Sequence, residues 1–392
     1  MATEAESVPA TGTLRQAAFI GLVLMVSAVQ FSIAVSQIFL AATFLLWVAT
    51  LVSEKRRPAA PAWAAALLCF MAWTLVSAAF SSDPRTSLID CKQLVLFIIV
   101  PITFDLVDEQ RALPLTTFML AAGACSAIVG IGQYSILHYD NLGQRPRSTL
   151  GLSLTFSGLM MLVLNIAVAR VLFMTRSRIW PAIVMPALAV VLALSFGRSA
   201  WVGWCLAVAV LLMMRHLRLV ALLPVVAAVF FALAPTPVVQ RFYSIFDLHD
   251  PSNHDRIAMM QAGQKIVTDH PLVGVGPNMI ERVYPQYRMP DAVMQHAPHL
   301  HNVPLQIAAE RGLPALALFT WFIAWVGSQA ITLFRRAPHD SIIRFLSACT
   351  IGALVSMLGA GMFEYNFGDS EFLMLFLVLI TLPFAVARQR RY

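Results

Sequence analysis

His296-Ala297-Pro298-His299-Leu300-His301-Asn302-Val303-Pro304-Leu305-Gln306, continued by residues 307–311 and Gly312, closes the long polar interval of an otherwise apolar chain. Three of the nine histidines lie within six residues here. An apolar run, 313–334, follows at once, and runs of similar length recur upstream and downstream. The stretch therefore stands where a polar excursion re-enters an apolar layer.

Composition agrees. The chain has 392 residues, 59% of them hydrophobic and 12% charged, with mean hydropathy +0.75. A soluble domain carries about 25% charged residues. Half that share, with repeated apolar runs, predicts an all-α polytopic membrane protein. The net charge of +7 does not indicate nucleic acid, because no basic patch is interleaved with exposed aromatics. The cations instead cluster in short loops between apolar runs. Residues 1–16 are polar, with Glu4 and Glu6, and lack the pattern of a cleaved signal peptide, so the first span is expected to be an uncleaved anchor. Cys69, Cys91, Cys125, Cys205 and Cys349 are widely spaced in or beside apolar runs. They have neither metal spacing nor a disulfide framework and read as small lipid-facing or core residues.

Twelve spans are expected, at 17–35, 36–52, 62–80, 91–107, 114–137, 152–174, 179–196, 199–214, 218–234, 313–334, 342–363 and 370–387. Only Ser36 and Gln37 separate the first two, which implies a tight turn or one bent element. With this count, Lys55, Arg56, Arg57, Arg111, Arg176, Arg178, Arg215, Arg218, Arg335, Arg336, Arg388, Arg390 and Arg391 share one side, predicted to be cytoplasmic along with both termini. The chain then divides into residues 1–234 with nine spans, a loop domain at 235–312, and residues 313–392 with three spans. The large helical loop falls on the periplasmic or extracellular side.

That far side carries cations that need a reason. Arg85, Lys92, Arg145, Arg147, Arg198, Arg241, Arg256, Lys265, Arg282, Arg288 and Arg311 all fall there. Long loops escape the charge bias and helix-end arginines reach to lipid phosphates, which would account for Arg241, Arg282 and Arg288. It accounts poorly for Arg198, in the minimal break Ser195-Phe196-Gly197-Arg198-Ser199. Arg147, Arg198 and Arg256 each stand near a membrane boundary, and guanidinium forks suit phosphate oxygens. Together they suggest an anionic headgroup, a diphosphate more than a carboxylate; the alternative is separate contacts with lipid. Asp83, Asp90, Glu281, Glu310, Glu364, Asp369 and Glu371 are candidates to pair with them or to bind sugar.

Within the loop, Asp255 is expected to cap a helix from Arg256 to about Thr268, with Ile257, Met260, Ile266 and Val267 on one stripe. Gly274-Val275-Gly276 is a turn and lacks the third glycine of a nucleotide loop. A second helix begins at Asn302, tolerates Pro304 in its first turn, and ends at Gly312 before Pro314. His301 thus sits just outside a helix N-terminus, whose positive end disfavours an imidazolium. That suits a general base; the alternative is a structural histidine at a helix end. His296, His299 and His301 do not have the spacing of known zinc frameworks. Asp247, His249, Asp250, His254 and Asp255 read as turn and cap residues.

His301-Asn302, nine residues and Gly312 resemble the signature of the O-antigen ligases, within the superfamily that includes O-antigen polymerases and pilin-type oligosaccharyltransferases. Ala315 stands where that signature has Gly, Thr or Tyr. Residues 269–277 and Gly197-Arg198-Ser199 are also similar to the family. The resemblance implies about twelve spans with one large periplasmic loop in a bacterial inner membrane. It also implies transfer of a glycan from undecaprenyl diphosphate with no metal or nucleotide cofactor. It matches His301 to the catalytic histidine and Arg198, Arg256 and Arg147 to diphosphate-binding arginines; Asn302, His299 and Lys92 are expected beside them as supporting residues. A ligase would use lipid A–core as acceptor. A polymerase or protein O-oligosaccharyltransferase would use the same donor with another acceptor. A transporter of lipid-linked sugar is the reading of a different class, although such proteins place charges near the bilayer midplane in repeated, broken helices.

Overall fold

The computed structural model describes residues 10–290, 292 and 294–388. These residues are mainly helical, and no strand occurs among them. In chain order the helices are α1 (Ala10–Ala28), α2 (Ile33–Ser53), α3 (Ala64–Ala79), α4 (Pro84–Asp90), α5 (Ile99–Leu106), α6 (Glu109–Ser135), α7 (Ser153–Phe173), α8 (Ile179–Leu194), α9 (Arg198–Arg215), α10 (Leu222–Leu233), α11 (Thr236–Tyr243), α12 (Pro251–Asp269), α13 (Ile280–Tyr287), α14 (Val303–Arg336), α15 (Ile342–Gly361) and α16 (Ser370–Arg388). A 3-10 stretch, Cys91–Ile98, joins α4 to α5, and another, Leu217–Ala221, leads into α10.

Eight helical runs are long and apolar enough to cross a membrane: Ile33–Ser53, Pro84–Leu106, Glu109–Ser135, Ser153–Phe173, Arg198–Arg215, Val303–Arg336, Ile342–Gly361 and Ser370–Arg388. Shorter apolar helices lie at Gly12–Ala28, Ala64–Ala79, Ile179–Leu194 and Leu217–Leu233. The chain is a polytopic helical membrane protein, in which each span satisfies its own backbone. α7 and α16 are buried along most of their length. α10, by contrast, has no fully buried residue.

The first turn differs from expectation. The chain reverses at residues 29–32, not at Ser36-Gln37. Polar side chains decide this. Gln30 Nε2 donates to Met119 O at 3.0 Å, Ser126 Oγ donates to Gln30 O at 3.0 Å, and Ser32 caps α2. Ser36 lies inside α2, with Oγ donating to Met25 O at 2.9 Å.

At the bundle end opposite the 235–312 interval, Asp105 is 1% exposed and draws the chain together. Arg56 Nη1 lies 3.0 Å from Asp105 Oδ1 and Arg388 Nη1 3.6 Å from it, while Arg15 Nη2 donates to Asp105 O at 2.7 Å. Trp47 Nε1 completes the set at 3.0 Å from Oδ2.

At the other end, α14 contains a break. Gly312 has φ 79° and ψ 169° inside an otherwise helical run, and Pro314 has no N–H to give. The carbonyls before the break must find donors elsewhere. Ala309 O accepts from Val275 N at 3.0 Å and Glu310 O from Gly276 N at 2.8 Å. Ser77 Oγ also donates to Glu310 O at 3.0 Å, and Trp73 Nε1 to Arg311 O at 2.9 Å. Leu313 N donates to Pro271 O at 2.8 Å. Residues 271–277 thus lie against the break. A Cβ at Gly312 would stand 1.8 Å from Leu272 O, and one at Gly274, with φ +68°, 2.3 Å from Glu310 C.

The interval before α14 holds three helices, of which the sequence singles out α12. α12 starts earlier than expected. Its cap is Asp250, which accepts from Ser252 N and Asn253 N, and Pro251 occupies the first turn. Asp255 is interior to that helix and accepts from Met294 N at 3.0 Å. The buried face of α12 is also offset. Ala258, Met259, Ala262, Gly263 and Ile266 are buried, whereas Ile257 and Met260 are 38% and 44% exposed. Small residues allow closer approach to Leu300 and Leu305 than the larger apolar stripe would. Met259, Ala262 and Ile266 join Val275, Ile280, Tyr284, Leu300 and Ala309 in a small separate core.

Replacing Gly312 by alanine combines a left-handed backbone with a collision against Leu272 O. The expected cost is about 3 kcal/mol. Gly327, where a Cβ would meet Leu354 Cδ1 at an ordinary 3.6 Å on a helical backbone, should tolerate alanine with no loss. Equal melting temperatures for Gly312→Ala and Gly327→Ala in detergent would refute this account of the break.

Candidate active site

The break in α14 sets the stretch before it. Glu310 Oε1 accepts from Asn278 N at 2.9 Å and from Gln306 Nε2 at 2.8 Å. Gln306 Oε1 in turn accepts from Leu300 N at 2.7 Å. Arg311 Nη1 balances the buried Glu310 carboxylate at 2.7 Å. Asn302 caps α14 by accepting from Leu305 N at 2.9 Å, and its amide donates to Met362 O at 3.0 Å. The residue between these anchors, His301, has φ +49°, a conformation uncommon for a side chain of this size and supported here on both sides.

The His301 ring faces Glu364, from the turn between α15 and α16. Nδ1 lies 3.0 Å from Glu364 Oε1. Burial works against ionising Glu364, but the hydrogen bond from His301 and nearby positive groups outweigh it and hold its pKa below the ordinary value. An ionised carboxylate only accepts, so Nδ1 carries the proton in this contact, and the neutral form of the ring has its lone pair on Nε2. His299 packs beside it, with ring centroids 4.2 Å apart. Burial, then repulsion from His301, push its pKa down to about 4. His299, His301 and Glu364 each offer a ligand atom, all within 4.8 Å of one another.

His301 opens onto a cavity of about 170 Å³ lined by Arg145, Arg198, Arg241 and Arg256, with Ser252, Asp255 and Phe196 among the other walls. Arg198 begins α9 after a turn in which Phe196 has φ +55°. It is 5% exposed. Its Nη1 donates to Ser244 O at 2.8 Å and Oγ at 3.0 Å, and Nη2 to Ser252 Oγ at 3.1 Å and Asp250 Oδ1 at 3.3 Å. Arg241 shares Asp250, with Nη1 3.6 Å from Oδ2. Burial, then the neighbouring charges of Arg198 and Arg145, push its pKa down to about 10. Burial is also the leading cause of the lowered values of Arg145 and Arg256, with Arg198 adding repulsion to both. Asp250, Asp255 and Glu364 are the nearby carboxylates, three against four arginines, so the cations exceed the acids by one. Such a site favours an anion carrying two or more charges.

Sequence reasoning and geometry can be compared residue by residue. Arg198, Arg256 and His301 meet at one cavity, and His299 and Asn302 flank it. Arg147 does not line it; its Nη1 donates to Gly151 O at 3.3 Å. Arg145, two residues earlier, does. Lys92 is exposed, near Asp90, and is not among the lining residues. Arg241, read from sequence as a lipid-phosphate contact, lines the cavity, whereas Arg282 pairs with Asp83 at 3.1 Å. Asp250, grouped in the sequence with turn and cap residues, caps α12 in place of Asp255 and also holds two arginines. Glu364 had no local signal; only the shared end of the bundle brings it to His301.

Among curated proteins, no match was found. Asn302→Ala should cost about 1 kcal/mol by loss of the cap and free the α15–α16 turn from α14. Thermal melting in detergent checks the first effect, and faster amide exchange at residues 362–365 the second. Residues 183–320 match the family model described as O-Antigen ligase, in line with the resemblance read from the sequence, so the stretch from α8 into α14, with Arg198, Arg241, Arg256 and His301, is similar to the O-antigen ligase family.

Proposed function

We propose that the protein is an O-antigen ligase of the bacterial inner membrane, moving a polysaccharide from undecaprenyl diphosphate to lipid A–core at the periplasmic face. The observation that carries this reading is one cavity shared by His301 and four arginines. His301 Nε2 takes the proton of the acceptor hydroxyl as its oxygen attacks the anomeric carbon. The bond from that carbon to the diphosphate oxygen breaks, and the prenyl diphosphate leaves with its electron pair. Arg198, Arg256, Arg241 and Arg145 stabilise the charge that develops on it. Arg145 takes the place that sequence similarity suggested for Arg147. Glu364 is a positioning residue: it fixes the His301 tautomer and stabilises the imidazolium formed during transfer.

The domain division at 235–312, twelve crossings and cytoplasmic termini belong to the same proposal. They are supported by the cation bias of the short loops and by the twelve apolar helical runs. The lipid-linked glycan, lipid A–core and membrane lipids are the partners.

Purified protein mixed in detergent with lipid-linked glycan and lipid A–core should yield conjugate. A longer lipid-linked chain as the sole product would make the protein a polymerase instead. His301→Ala should lower the rate by about 10²–10⁴-fold and Arg198→Ala by about 10²–10³-fold, while both still accumulate in the membrane. Glu364→Gln should lower kcat more than it raises KM. Wild-type transfer by His301→Ala removes the base assignment.

A further inference from the structure

The His299–His301–Glu364 group has features that base catalysis does not use. Glu364 Oε2 and His299 Nδ1 are buried and have no hydrogen-bond partner among the described residues. His299 Nδ1 stands 4.0 Å from Glu364 Oε1, and His301 Nδ1 stands 3.0 Å from the same oxygen. Two imidazole nitrogens and a carboxylate thus converge from two elements, one of them with no other partner. Around a tetrahedral zinc ion such donors stand roughly 3.4 Å apart. The three ligand atoms here lie within 4.8 Å of one another, so a closure on the order of 1 Å would complete the set.

We propose that His299, His301 and Glu364 form a site for a divalent transition-metal ion of the zinc class, and that its occupancy switches off His301 as a base. The donor set selects the ion: imidazole nitrogens suit zinc, copper or nickel, whereas magnesium and calcium require oxygen ligands. Arg256 lies close enough to Glu364 to affect its ionisation and opposes a dication, which makes the site weaker than a structural zinc centre. Binding at His301 Nδ1 displaces the proton held there. The neutral ring then carries its proton on Nε2, which donates and no longer accepts. The acceptor hydroxyl loses its base while the arginine cavity stays intact. This half of the inference rests on the role proposed above for His301; the binding half does not.

The test uses the full chain, purified metal-free in detergent and titrated with zinc chloride by calorimetry. A parallel titration with cobalt chloride reads the visible absorption of a tetrahedral ion. Wild-type protein should bind one zinc ion at this site, and magnesium should give no heat. His299→Ala and Glu364→Gln should each weaken zinc binding about tenfold or more. If His299→Ala does not melt as wild type without metal, His299→Gln replaces it. In the transfer assay, saturating zinc should stop conjugate formation and a chelator restore it. Undiminished zinc affinity in the His299 variants overturns the site, and full transfer by zinc-loaded protein overturns the switch. Absence of transfer by metal-free protein would count against the ligase reading, while calorimetry would still report on the metal.

Discussion

A helix that must stop and resume within three residues leaves carbonyl groups without donors, and in a membrane protein no water replaces them cheaply. Gly312 and Pro314 create that situation in α14. The turn at residues 271–277 resolves it, with help from Ser77 and Trp73 of α3. Satisfying the break therefore fixes three separate parts of the chain at one place. From there the Glu310–Gln306–Leu300 relay reaches the backbone beside His301. The strained backbone of that histidine is held by the same bonds that close the helix.

The cavity's electrostatics follow a related logic. Guanidinium groups repel, and burial worsens the repulsion. Asp250 offsets part of it by serving Arg198 and Arg241 together. The remaining excess is what makes the empty space attractive to a polyanion and unattractive to neutral sugar alone. Glu364 sits at the border of this field, ionised because His301 donates to it. His301 and the arginines thus face different groups within a few side chains of each other.

Much of the fold was legible because apolar runs in a membrane protein have a single backbone solution. The His301–Gly312 stretch was legible for the opposite reason: a cap, a proline and a glycine at particular offsets are strong local signals. What could not be read depended on distance in sequence. Glu364 lies 63 residues after His301, in a loop that offers several acids. Arg145 and Arg147 differ only in which one turns inward, and the turn around Gln133 and Ser148, whose groups bond each other, decides it. Arg241 looked like a lipid contact because the short helix α11 has no span-like signal. The start of α12 was missed because two aspartates, Asp250 and Asp255, were each plausible caps, and Pro251 favours the first.

α10 connects α9, which begins with Arg198, to α11, which carries Arg241. None of its side chains is fully buried by protein, and its ring packing on protein is Phe231 against Phe242 and Tyr243 of α11. The helix that carries Arg241 is thereby joined to α9 through an element that the bundle core does not enclose.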